Sequence, residues 1–202
     1  MTNTFRDENI NIFMERLASS SPTPGGGVAA ALIAATGAAL IGMVSSLTLG
    51  KKAYAQHQEL AAYLVREASG LRNTFLELAD EDALAYSSFG IALAMPKSTP
   101  EEAKLREDSL QLALLRSADV PTKVMRECKA GVVLINEARG RTNKSVASDL
   151  DVAFVALEAA SRCAWINVEV NLSSIRDREK VEQISLECEV LRDFWSLQSK
   201  LS

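Results

Sequence analysis

The sequence predicts an all-α fold, a single-domain bundle of about six helices around a buried, Ala/Gly-rich central helix. Three observations carry that expectation. The run Val28–Leu49 contains no charged residue, is too long for a buried strand, and is rich in helix-forming Ala and Leu. The remaining segments repeat apolar residues at helical spacing and stop at proline or glycine. No convincing strand, internal repeat, low-complexity tract or linker interrupts residues 1–202, so one domain is expected.

Composition narrows the function classes. With 202 residues, 48% of them hydrophobic, the chain can bury one sizeable core. Its 22 basic and 26 acidic residues give a net charge of −4, which argues against a nucleic-acid partner. Cys128, Cys163 and Cys188 are dispersed and form no CxxC pair, so reduced, buried thiols of a cytoplasmic protein are expected. His57 is the single histidine, which removes histidine-rich metal sites and leaves one candidate for any His-based triad. The polar stretch Met1–Glu8 carries no apolar core of a secretory leader.

In chain order, Thr4 can cap a first helix, with Asp7 at its third position and Ile10, Phe13, Met14 and Leu17 as its apolar stripe. Ser19–Pro22 ends it. The central helix follows, with Ala30, Ala34, Ala38, Gly42, Ser46 and Gly50 recurring every fourth position as a small-residue ridge that lets another helix approach closely. This helix is long enough to span a bilayer. Its Ala, Gly, Ser and Thr content and the absence of a second such segment favour the core of a bundle instead, with no membrane partner. Ahead of it stand Pro22, Pro24 and the glycines Gly25, Gly26 and Gly27. Exposed N–H groups and the helix dipole make that N-terminus an anion or carbonyl site, or the glycines merely form a turn. No Gly-Lys-Ser/Thr follows, so it is not a Walker loop. Lys51 and Lys52 suit the other end of the helix, and Lys51 lies roughly 35 Å from Gly27 at 1.5 Å per residue.

A third helix is expected from Gln58 to Met95, stopped by Pro96. Leu64, Leu71, Leu78, Ala85 and Ala92 alternate in its core stripe with Ala68, Phe75, Asp82 and Phe89. Asp82 is the one break. A carboxylate on an apolar face costs free energy unless it is paired or used, and burial raises its pKa toward values suited to acid–base chemistry. The alternative is an Asp held by a lysine or a backbone donor of a neighbouring helix.

Thr99, Pro100 and Glu102 make a strong helix start with a capping box. Leu105, Leu112 and Leu115 mark this fourth helix; Pro121 is expected to break or kink it, and Val124, Cys128, Val132 and Ile135 continue beyond. Arg139–Lys144, which includes Asn143, reads as a basic loop, either solvated or receiving carboxylates. The next helix starts near Ser148 or Asp149 and aligns Asp149, Ala153, Ala156, Ala160, Ala164, Asn167 and Asn171 along one side. Its asparagines can orient a heterocycle or bond neighbouring helices. A last helix carries Val181, Ile184, Cys188, Leu191 and Trp195.

Taken together, PTPGGGVAAA, LTLGKK, ADEDALAY, AMPKSTPEE, SDLDVA and NVEVNLSSIRD, in that order, resemble the cyclodeaminase/cyclohydrolase family of folate enzymes over nearly the whole chain. The family includes the cyclodeaminase domain of the bifunctional formiminotransferase-cyclodeaminase and stand-alone methenyltetrahydrofolate cyclohydrolases. Val28 stands where the family commonly has Ser, and Thr142-Asn143 where it has Gly-Asn. The resemblance implies an all-helical, self-associating subunit without metal or cofactor, a tetrahydrofolate substrate, and a catalytic carboxylate at the place of Asp82. It implies cyclodeamination of formiminotetrahydrofolate, or else hydrolysis of the methenyl compound. A non-catalytic helical folate-binding or scaffold protein is the reading from another class. Substrate contacts are expected from Gly25, Gly26, Gly27, Lys51, Asn143, Asp149, Asn167 and Asn171. Because Lys51 and the glycines sit at opposite helix ends, a homodimer packed antiparallel along or near the Ala34–Ala38–Gly42 ridge is expected to bring them together.

Overall fold

The computed structural model describes residues 4–198. Six α-helices follow one another: α1 Ile10–Leu17, α2 Gly26–Ser46, α3 Gln58–Leu93, α4 Pro100–Ala138, α5 Ser148–Leu172 and α6 Arg178–Gln198. Helices α2 to α5 form a four-helix bundle in which α2 and α4 stand at diagonal corners, each packed on both α3 and α5. α6 lies on the outside against α4 and α5.

α2 is the core helix its composition predicts. Ala34, Ala38, Ile41 and Val44 have no exposed surface. α2 is also, among the described residues, the one helix long and apolar enough to cross a membrane, and 56% of its apolar window is buried in the bundle. Close approach is possible because glycines face Leu157 of α5 from two sides. A methyl at Gly131 of α4 would come within 2.6 Å of Leu157 Cδ1, and one at Gly37 of α2 within 3.0 Å of Leu157 Cγ. The small-residue ridge is therefore used inside the subunit: Ala34 and Ala38 belong to the core, and Gly42 meets Ala68 of α3. Ala34 and Ala38 are thus taken up inside the subunit, and a contact between copies would have to lie beside this part of the ridge rather than on it.

Three expectations need correction. Thr4 precedes a short 3-10 turn, Phe5–Asp7, and the cap of α1 is Asn9, whose side chain accepts from the Asn11 amide. Pro121 does not break α4, which runs on for 39 residues. In α4, Leu105 and Leu112 are exposed, and the core face is instead Ala113, Leu114 and Ala118. The capping box at Thr99 and Glu102 is present, with Pro100 in the first turn. Cys128 and Cys188 are buried, Cys163 is half-buried, and all three are free thiols.

The far end of α2 is tied down by polar bonds. Thr48 Oγ1 donates to the Val44 carbonyl at 2.8 Å and accepts from the Asn143 amide at 2.9 Å. Gly50 turns the chain with φ 72°, and its N–H donates to Gln58 Oε1 at 2.8 Å.

Candidate active site

The three successive acids of α3 point in three directions, as the 100° advance per residue requires. Asp80 accepts from the Phe5 amide at 2.9 Å and anchors the N-terminal segment. Glu81 meets Lys123 at 3.5 Å on the outside. Asp82 turns toward the N-terminus of α2.

That helix begins at Gly26, with Gly25 as its cap in extended conformation. The Thr23–Pro24 peptide bond is cis. A methyl at Gly27 would overlap Oδ1, Cγ and Oδ2 of Asp82, so the carboxyl lies where only glycine leaves room. The Val28 N–H faces the carboxyl and favours its charged form. Burial acts more strongly in the opposite direction and holds the Asp82 pKa above the ordinary 3.8. Lys123 is engaged with Asp119 at 3.0 Å as well as with Glu81. Asp82 is thus held by a backbone donor, and the helix N-terminus offered to an anion is taken by the chain's own carboxyl.

Around Asp82 lies a cavity of about 280 Å³. Gly25, Gly26 and Gly27 form one wall, Tyr86 and Ala83 another, and Ser117, Asn167 and Asn171 a third. Five positions expected from sequence, the three glycines and the two asparagines, therefore converge on the sixth, Asp82. α5 runs antiparallel to α2, which brings Asn167 to 3.6 Å from a methyl position on Gly26. Asn167 Nδ2 donates to the Cys163 carbonyl at 2.9 Å, and Asn171 Nδ2 to the carbonyls of Asn167 at 2.7 Å and Ser117 at 3.2 Å.

Three expected contacts lie elsewhere. Lys51 is exposed beyond the C-terminus of α2, a helix of 21 residues and so about 30 Å long. Asn143 is a structural clasp at that same end, its Nδ2 donating to the Leu47 carbonyl at 3.2 Å and its Oδ1 accepting from the Ser145 amide. Asp149 sits in the first turn of α5, at the end of that helix opposite Asn171. None of the three lines the Asp82 cavity. Sequence reasoning missed Ser117 and Thr23; the signal for Ser117 was Pro121, four residues on. A larger groove of about 650 Å³ lies between α5 and α6, but its charges are mixed and it holds none of the expected residues. Among the described residues no group of three His, Cys, Asp or Glu side chains is placed to hold a metal ion.

Comparison with known proteins gives this arrangement a context. A methenyltetrahydrofolate cyclohydrolase of Methylorubrum extorquens is 38% identical over 92% of this chain and 89% of its own length. The formimidoyltransferase-cyclodeaminase of Rattus norvegicus is 33% identical over 85% of this chain, which spans about a third of that longer protein, 32%. A solved structure of formiminotetrahydrofolate cyclodeaminase from Thermotoga maritima superposes with a TM-score of 0.83 at 28% identity, covering 93% of this chain and 90% of that one. The family described as formiminotransferase-cyclodeaminase matches residues 9–190. With relatives on both sides of one folate carbon chemistry and a match across nearly its whole length, the chain belongs to the formiminotransferase-cyclodeaminase family of folate one-carbon enzymes.

Proposed function

We propose that this chain moves protons at the one-carbon unit bridging N5 and N10 of tetrahydrofolate, and that its reaction is cyclodeamination of the 5-formimino compound. The observation that carries this reading is Asp82: a carboxyl with a raised pKa, held by backbone rather than by a cation, on the wall of a cavity floored by glycine backbone. In the scheme, N10 attacks the carbon of the protonated formimino group, C=NH2+, forming the new C–N bond while the C=N π electrons move onto the nitrogen. Asp82 accepts the proton released from N10 and delivers it to the departing nitrogen. The C–N bond to that nitrogen breaks, ammonia leaves, and the 5,10-methenyl cation remains. One carboxyl whose pKa is raised by burial serves both halves of this transfer, and its negative form offsets the charge of the methenyl cation. No cofactor enters the scheme.

The second reading is hydrolysis of the methenyl compound. It is favoured by the Methylorubrum relative, matched over nearly its full length. There Asp82 would take a proton from the water that attacks the same carbon. Purified protein supplied with each substrate separates the two. Methenyl absorbance that rises with ammonia release supports cyclodeamination, and absorbance that decays faster than in buffer supports hydrolysis. Folate binding without either change favours the non-catalytic reading and overturns the proposal.

A homodimer also belongs to the proposal, on a face other than the buried ridge. Lys51, Asn143 and Asp149 reach a folate only if a second copy brings its α2 C-terminal end near the cavity.

A further inference from the structure

Pro121 has no N–H, so the carbonyl four residues earlier, that of Ser117, loses its helical partner in the middle of α4. The structure supplies a replacement from another helix: Asn171 Nδ2 donates to Ser117 O at 3.2 Å. Its second N–H goes to the Asn167 carbonyl at 2.7 Å. A primary amide has two N–H donors, and carbonyl oxygens only accept. Both donors are therefore committed to backbone, and the amide cannot flip without setting its own oxygen against two carbonyls. Asn167 is fixed in the same sense by its bond to the Cys163 carbonyl at 2.9 Å. Both residues line the Asp82 cavity.

We infer that Asn171 is a positioning and specificity residue. Clamped by the carbonyl that Pro121 leaves open, it makes this wall of the cavity a hydrogen-bond acceptor, matched to a ligand edge that carries N–H donors. An amino-substituted pyrimidine ring presents such an edge, and a ring with only acceptors there is refused. This assignment rests on the folate reading for the ligand, but the clamp itself does not.

The test combines a stability cycle with a binding comparison. Thermal unfolding is measured for the wild type, Asn171→Ala, Pro121→Ala and the double variant. Pro121→Ala returns an N–H to Ser117, so Asn171→Ala is expected to cost less Tm in that background than in the wild type. Equal losses in the two backgrounds overturn the clamp. Binding of tetrahydrofolate, and of an analogue in which hydrogen replaces the 2-amino group, is measured on the same proteins. Asn171→Ala is expected to weaken tetrahydrofolate binding and raise KM about fivefold to tenfold, the scale of one lost hydrogen bond. It should leave kcat largely unchanged and bring the two ligands closer in affinity. Undiminished discrimination by this variant overturns the specificity role. If the single variant does not fold, the double variant, whose Ser117 carbonyl is satisfied, carries the binding comparison. A wild type that binds neither ligand while the Tm coupling persists counts against the folate reading and leaves the clamp supported.

Discussion

Replacing Asp82 by Asn separates the catalytic role of this carboxyl from its structural one. Asn keeps the size and an acceptor for the Val28 N–H, and Asp and Asn cap helix N-termini about equally well. The fold should therefore survive, while turnover falls by at least about 10²-fold, the lower end for a general acid–base group. The pH dependence of stability gives a second, independent reading. Burial raises the native pKa above 3.8, so between 3.8 and that raised value the native state holds a proton that the unfolded chain has released. Wild-type stability relative to Asp82→Asn must then decline as pH rises through that window, and level off above it. Denaturant unfolding of both proteins on either side of pH 3.8 measures this difference. Near-normal activity in the variant would refute the catalytic assignment. A wild type that gains stability over the variant as pH rises would show a lowered pKa, and would make Asp82 a structural cap.

The remaining packing and hydrogen-bond predictions are local. Gly27→Ala places a methyl on the Asp82 carboxyl and should lower turnover by about as much as Asp82→Asn, roughly 10²-fold, with far-ultraviolet circular dichroism unchanged. Gly131→Ala drives a methyl within 2.6 Å of Leu157 and should destabilise by about 1–3 kcal/mol. Gly90→Ala, in the same kind of helix but with nothing within 4 Å, should instead stabilise by about 0.4–1 kcal/mol, as read from denaturant midpoints. Ser161→Ala strips the buried Trp195 indole N–H of its 2.8 Å acceptor and should cost about 1–3 kcal/mol, with a shift in tryptophan emission.

Helical phase makes most of the bundle and part of the site legible in the sequence. Asp82 stands out because a carboxylate interrupts a stripe of Leu, Ala and Phe, and its neighbours Asp80 and Glu81 fall at other angles on the same helix. Asn167 and Asn171 follow from eighteen residues making five turns. What phase alone does not give is which partner each face meets. The Ala34–Ala38 ridge reads the same whether it meets α3 and α5 or another subunit. Pro121 looks like a break because its lost hydrogen bond is visible in sequence, whereas the amide that satisfies Ser117 comes from fifty-four residues away. Asn143 and Asp149 carry suitable chemistry, but their distance from Asp82 depends on helix lengths and on the antiparallel pairing of α2 with α5.

The oligomer is the prediction on which the remaining site residues depend. With its ridge buried, α2 leaves Ile33, Met43 and Leu47 at 38%, 37% and 43% exposure. Beside it, α5 leaves Val155, Ile166 and Val170 at 61%, 59% and 62%. The spacing of 33, 36, 40, 43 and 47 follows one outer face of α2, and 152, 155, 159, 163, 166 and 170 follow one outer face of α5. None of these eleven positions is charged. A pair of helices about 30 Å long and roughly 20 Å across is the scale of a standard interface. A two-fold contact there, with the α2 helices antiparallel, carries each Lys51 end toward the partner's glycine turn. Sedimentation should show a dimer for the wild type and a folded monomer for Ile33→Glu combined with Ile166→Glu. Mixed dimers of Asp82→Asn and Lys51→Ala chains test the shared site. If each parent is impaired, the mixture should regain activity, because one of its two sites then carries both lesions and the other carries neither. A wild type that sediments as a monomer ends the dimer proposal, and a mixture as inactive as its parents confines the site to one subunit.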